Sequence, residues 1–365
     1  MLATPGVEAP GDPGDPWDII GDGALVYRAS EAQVALVTRT LGIDRATWRR
    51  AVEGYAGRLR SGAPVPERLE ALRASWADCS PHAAALPACS PRPCPCCEGA
   101  AEPWIARRAP PLVMGRCAGC GHGLLLEGAA SASVYQGPGY YQRVDPETGA
   151  GYAGYEDERV YREGKAGRLL DWIERAGGAR PRRLLEGGSG YGFTRRAAEA
   201  RGIETAGVDV NPHAALVARR LYGLDTHVGD LASGLDSGAI PAGSFDLVIY
   251  QFVLEHLADP GAEIAVAARA LSPGGLLALV VPSAEAAEVT VFGASYRSLR
   301  GDHLHLFTRR SIARLLGRAG LAPVAVETAC NLHLLGGFLS AEELDRDVYQ
   351  VGRGPDLTVL AREMR

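Results

Sequence analysis

Three groups of residues in this chain have the types and spacing to do chemistry. Cys94 and Cys97 form one CxxC knuckle and Cys117 and Cys120 a second, with 19 residues between them. Two such knuckles can offer four thiolates to a tetrahedral Zn²⁺ at about 2.3 Å each, and Gly119 and Gly121 allow the tight turn of the second. Cys96 is a spare thiol beside them. A shell filled by four protein ligands leaves no place for an activated water, so this metal is expected to hold structure. The second group is a glycine-dense bend. Leu184, Leu185 and Glu186 lead into Gly187, Gly188, Gly190 and Gly192, and a helical pattern follows from Phe193. Glycine tolerates positive φ and lets backbone N–H groups approach closely, so bend and helix start make a cradle for a polar cofactor. A further apolar run, Thr205 to Val208, ends at Asp209, whose carboxylate can accept both hydroxyls of a ribose. The third group is histidine: His256 after one apolar run, His303 and His305 after the next. A general base working near neutral pH is most naturally an imidazole.

The strands that must position these groups read in series. The first runs from Arg183 to Glu186, the second ends at Asp209, and the third is Thr226 to Val228, closing at Gly229 and Asp230. Phe245 to Tyr250 has the continuous apolar character of a buried parallel strand, with Glu255 to Leu257 opening the next helix. Leu276 to Val281, Val324 to Val326 and Leu357 to Leu360 complete the set, the last expected antiparallel. Ligands in open α/β sheets bind outside the carboxyl ends of the strands, where all three histidines fall.

The order acid, x, Gly, x, Gly, x, Gly at Glu186, Gly188, Gly190 and Gly192, followed by Asp209, resembles motif I and its follower in class I S-adenosylmethionine (SAM) dependent methyltransferases. A nicotinamide-type GxGxxG fits neither register, because Phe193 or Arg195 stands where the third glycine belongs. The resemblance implies a Rossmann-like α/β fold with a seven-stranded sheet and SAM as methyl donor. It further implies a cofactor set of Glu186, the three motif glycines, Asp209 with Val210, Asp230 with Leu231 at the adenine, and Gln251. The EHL at Glu255 to Leu257 and the SPGG at Ser272 to Gly275 recur in the family. A CxxC ribbon followed by YY and GYxxY is similar to a group of bacterial methyltransferases, over residues 94 to about 330. There the tyrosine segment covers the methionine end, so Tyr141 and Tyr155, with Tyr152, are carried over. Ubiquinone-biosynthesis methyltransferases, which resemble the chain around Glu255 and His256, bear another acid three residues earlier. Phe252 stands at that position, which argues against a catalytic Mg²⁺.

The remaining organisation follows from composition. With 365 residues and 47% hydrophobic content the chain can build at least one large core. Residues 1–20 are Pro- and Gly-rich and read as a disordered tail. Residues 21–80 read as a helical module of unknown role, with starts at Ser30, Asp44 and Val65. The ribbon follows at 90–125, then a Tyr/Gly-rich lid and entry helix at 126–180. The catalytic domain spans 181–365, with an insertion at 330–354 placed near the substrate side. Neither a signal peptide nor a membrane-spanning run is apparent, so a cytoplasmic protein is expected. His256, His305 and His303, in that order, are the candidate bases for O- or C-methylation of a small molecule: a sugar, a natural-product scaffold or a carrier-bound intermediate. An RNA methyltransferase gripping nucleic acid with the ribbon is the alternative. The net charge of −5 argues against it, as does Tyr250, Gln251, Phe252 in place of the NPPY of base-amine enzymes. A non-catalytic scaffold is disfavoured by the intact acid and glycine set.

Overall fold

The computed structural model describes residues 17, 19–21, 24–60, 62–129, 131–329 and 334–364. Most of the N-terminal tail expected to be disordered lies outside them. The chain divides into two compact units.

The first comprises the segment up to Ala83 together with Ala287–Arg297 and Cys330–Val351. A hairpin of β1 (Ile19–Gly21) and β2 (Ala24–Tyr27) precedes α1 (Glu31–Leu41), α2 (Arg45–Arg58) and α3 (Val65–Cys79). The capping box that the sequence signals at Ser30 and Gln33 is formed, and Asp44 caps α2 through the Thr47 N–H. Trp48, Tyr55 and Trp76 form the centre, and Phe292 and Phe338 close it at ring separations of 5.6 Å from Trp76 and Trp48 respectively. Edge-to-face aromatic packing of this kind adds to plain area burial. The 330–354 segment, read from sequence as an insertion of the catalytic domain, therefore falls mostly in this unit: Leu334, Leu335, Phe338 and Leu339 supply its apolar closure.

The second unit holds the ribbon and the large sheet. The ribbon strands are β3 (Arg92–Pro93), β4 (Ala100–Arg107), β5 (Leu112–Cys117) and β6 (Gly123–Glu127). After a tyrosine-rich strap comes α4 (Arg159–Gly177), then β7 (Arg183–Gly187), α5 (Phe193–Glu199), β8 (Glu204–Asp209), α6 (Pro212–Tyr222) and β9 (His227–Val228). β10 (Phe245–Gln251), β11 (Leu271–Pro282), β12 (His305–Leu306), β13 (Leu321–Ala329) and β14 (Asp356–Glu363) follow. Seven strands form one sheet in the order β13-β14-β11-β10-β7-β8-β9. β14 is antiparallel to both neighbours, while β7, β8, β9, β10 and β11 run parallel. The strand order reverses between β7 and β10, which leaves a crevice at their carboxyl ends. β12 leaves this sheet and pairs with β6, making the ribbon sheet five-stranded. Glu255 to Leu257 does not open a helix as the sequence suggested; Leu254–His256 is a single tight turn, and the helix starts at Pro260.

Candidate active site

A cavity of about 420 Å³ opens at that crevice, walled by the ends of β7, β8 and β10, the start of α4 and the tyrosine strap. β7 delivers Glu186, whose Oε1 lies 3.5 Å from the Gln251 amide nitrogen; that nitrogen also donates to Thr194 Oγ1 at 2.6 Å. The second oxygen of Glu186 and the hydroxyl of Ser189 are buried without a partner beside the cavity. Burial pushes the Glu186 carboxyl up to about 7. Gly188 has φ +65, and a Cβ there would lie 2.4 Å from Val253 Cγ2.

Asp209 ends β8 with both oxygens engaged: Oδ2 accepts the Gly190 N–H at 2.7 Å and Oδ1 the Asn211 N–H at 2.8 Å. Burial raises its pKa, opposed by those two amides. Gly190 and Gly192, expected among the cofactor contacts, are not in the cavity wall. The first lends its amide to Asp209, and the second, at φ +81, starts α5 against Leu224. Val210, Asp230, Leu231 and Gln251 do line the cavity. Tyr250 and Glu263, which sequence reasoning missed, stand at the Asp230 end, the phenol donating to Glu263 Oε1 at 2.5 Å.

Over this floor lies an aromatic strap. Tyr141 and Tyr155 line the cavity with ring centroids 4.8 Å apart, and Tyr135, Tyr140 and Tyr152 join them. Burial raises the phenol pKa values of Tyr135, Tyr140, Tyr141, Tyr152 and Tyr155. Two cations, also missed, come from α4: the Arg162 guanidinium 3.9 Å from the Tyr155 ring centroid and the Lys165 ammonium 4.3 Å from that of Phe252. Their i, i+3 spacing on the entry helix was a signal available in the sequence.

The three histidines separate. His256 lines the cavity; its Nδ1 sits 2.6 Å from the Asp302 carbonyl oxygen and 3.1 Å from the Tyr135 hydroxyl. A carbonyl only accepts, so Nδ1 carries the proton and Nε2 is the basic nitrogen of the neutral ring. Burial holds its pKa below the usual imidazole range, against the pull of the Asp302 carboxylate. His303 is buried behind it, ring centroids 4.8 Å apart, and does not reach the cavity. His305 does not reach it either. Pairing of β12 with the ribbon turns His305 toward His122 and the Leu257 carbonyl, at 3.0 and 2.9 Å.

Two side-chain clusters could hold a metal. The four ribbon thiols lie within 4.8 Å of one another, with Cys94 and Cys120 sulfurs 3.6 Å apart and those of Cys97 and Cys117 3.4 Å, which fits the edges of a tetrahedral site. Glu255, His256 and His303 form a second group within the same limit. Both Glu255 oxygens and His303 Nδ1 are buried without a partner, and burial drives the Glu255 pKa far up. Such a donor set suits a divalent cation.

A sequence-family model for a methyltransferase domain matches residues 161–326. The ubiquinone biosynthesis O-methyltransferase of Aromatoleum aromaticum is 34% identical over 200 residues, 52% of this chain and 81% of that protein. Its counterpart in Thiobacillus denitrificans is 31% identical over 161 residues, 42% and 69% respectively. Among solved structures, 1,6-didemethyltoxoflavin-N1-methyltransferase of Burkholderia thailandensis gives a TM-score of 0.40 at 21% identity, covering 58% of this chain and 84% of that one. The chain belongs to the class I SAM-dependent methyltransferases. It is an enzyme, and S-adenosylmethionine is its methyl donor. Among the described residues no helix is long and apolar enough to cross a membrane.

Proposed function

We propose that the enzyme methylates an oxygen of a small-molecule acceptor, with His256 as the general base. The observation that carries the reading is the 2.6 Å approach of His256 Nδ1 to the Asp302 carbonyl in a ring that lines the cavity, which assigns the proton to Nδ1 and leaves Nε2 as the basic nitrogen. Asp209 would take the ribose hydroxyls of the donor, Asp230 with Tyr250 and Glu263 would face its adenine, and Glu186 with Ser189 and Gln251 its amino-acid end. Tyr141 and Tyr155 would close over the sulfonium. The acceptor hydroxyl passes its proton to His256 Nε2, its oxygen lone pair forms the bond to the methyl carbon, and the carbon–sulfur pair returns to sulfur as a thioether. A sulfonium leaves readily, so most of the protein's contribution is orientation, which can reach ~7–11 kcal/mol in well-aligned systems. The relatives named as ubiquinone biosynthesis O-methyltransferases support oxygen as the target. The ribbon cysteines would hold a structural Zn²⁺, and the compartment would be the cytoplasm.

The orphaned Glu255 oxygens and His303 nitrogen favour a second reading, in which Glu255, His256 and His303 hold a divalent cation that acidifies the acceptor hydroxyl. His303 would then fill the place left by Phe252.

Transfer from tritiated SAM to a panel of catechols, hydroxy acids and sugars tests the reading. His256→Ala should lose ~10²–10⁴ in turnover while S-adenosylhomocysteine affinity holds. A variant that keeps its rate, or labelling of RNA alone, would refute it. Loss of turnover in EDTA with the ribbon metal retained would select the second reading.

A further inference from the structure

His122 and His305 do nothing in the scheme above, yet both are buried, and a side-chain hydrogen bond between histidines from distant parts of the chain asks for a reason. Leu257 O can only accept, so His305 carries its proton on Nε2, and its Nδ1 must then accept from His122 Nε2–H. His122 sits two residues beyond Cys120, and its own carbonyl accepts the Cys117 N–H at 2.9 Å. The pair thus links the second cysteine knuckle to the carbonyl of Leu257, the residue after His256. Main-chain bonds run alongside. Leu125 N–H donates to Leu304 O at 2.9 Å, and Leu304 N–H donates to Glu255 O at 2.7 Å. Thr308 Oγ1 donates to Cys120 O at 2.8 Å. β12 is two residues long, too short to hold itself in register, so these lateral bonds carry its placement. The same short segment supplies Asp302, whose carbonyl fixes the His256 ring.

We propose that His305 and His122 are positioning residues for methyl transfer, through which the cysteine ribbon holds the Val253–Leu257 turn and the imidazole of His256 in register with the cavity. The role assigned here rests on His256 being the base. It gives the ribbon a task in catalysis without contact to substrate: it is the outer support of the turn that bears the reacting group. His305 and His122 act through the Leu257 carbonyl and the β6–β12 pairing.

The test uses the full-length, zinc-loaded protein with S-adenosylhomocysteine bound, and needs no acceptor. Amide hydrogen exchange over residues 253–257 and the ¹⁵N signature of the His256 ring are measured in His305→Ala, His305→Gln and His305→Asn. The Gln amide nitrogen reaches the place of Nε2; that of Asn reaches only the place of Nδ1. His305→Ala and His305→Asn should speed exchange across the turn by ~10-fold, as loss of one buried hydrogen bond implies. They should also scramble the Nδ1–H signature of His256, with zinc content unchanged and S-adenosylhomocysteine affinity within about threefold. His305→Gln should restore both signals. If His305→Ala does not fold, the contrast between Gln and Asn decides. Equal behaviour of Gln and Asn, or wild-type exchange in His305→Ala, would overturn the proposal. Failure of the base assignment shows separately, as undiminished turnover in His256→Ala.

Discussion

Replacing Asp209 by alanine removes two functions at once, and the structure separates their sizes. Each carboxylate oxygen already accepts one backbone amide, from Gly190 and Asn211, and keeps a second lone pair, which in the proposed placement takes the donor's ribose. Two charge-assisted hydrogen bonds to those hydroxyls, at ~1.5–3 kcal/mol each, amount to ~3–6 kcal/mol, or ~10²–10⁴ in Kd. The fold is affected too. Two buried amides lose their acceptor at ~1–3 kcal/mol each. The melting temperature without ligand should then fall by ~5–20 °C. Asp209→Asn, which keeps one accepting oxygen, should lie between wild type and alanine on both scales. Calorimetric titration with S-adenosylhomocysteine, run beside a thermal melt of the unliganded protein, reads the two effects independently. Affinity within threefold of wild type, together with a lowered melting temperature, would show that Asp209 only braces the bend, and the cofactor assignment would fail.

Glu186 supplies a pH test. Its carboxyl stands near 7 in the fold against an ordinary value of 4.5, so between those values the folded protein holds a proton that the unfolded chain has lost. Stability of the unliganded enzyme should therefore fall as pH rises through that window, by ~3 kcal/mol from this group. A cationic ligand seated beside it favours the ionised form, so binding of SAM at pH 6 should release close to one proton, and almost none at pH 8.5; buffer-dependent binding enthalpy measures this. Gly188→Ala should abolish donor binding, since the new Cβ would sit 2.4 Å from Val253 Cγ2 at a φ of +65; retained affinity would contradict the close approach of that bend to the ligand. With zinc in the ribbon as proposed, Cys120→Ser should lower it from one equivalent towards zero and loosen β6, read by metal analysis and by exchange at residues 123–127.

The catalytic sheet was largely legible because its signals are local. An apolar run that ends in an acid, a glycine bend and a capped helix each announce themselves within a dozen residues, and β7, β8 and β10 fall within a residue or two of where pattern alone puts them. Misreadings arose where long-range pairing decides. His305 follows β11 in sequence, as a cavity residue would, yet β12 answers to β6, some 180 residues earlier in the chain. The segment 334–351 looks like a loop of the domain that surrounds it, and only the aromatic core around Trp48 reveals where its apolar side chains go. Gly190 and Gly192 carry the motif but serve its shape; the motif reports backbone conformation, and conformation alone does not say which residue touches a ligand.

Asn211 ties together two events that a bisubstrate enzyme has reason to keep in step. Its side-chain oxygen caps α6, while its amide nitrogen donates to the carbonyls of Tyr135 and Gly137 at 2.6 and 3.0 Å. The phenol of the same Tyr135 reaches the Asp302 carbonyl at 3.0 Å, beside His256. A single side chain thus stands between Asp209, two positions earlier, and the hydrogen bonds around His256. Under the proposed placement, a nucleoside held by Asp209 would be linked to the His256 imidazole through Asn211 and Tyr135, an arrangement suited to ordered binding, donor before acceptor.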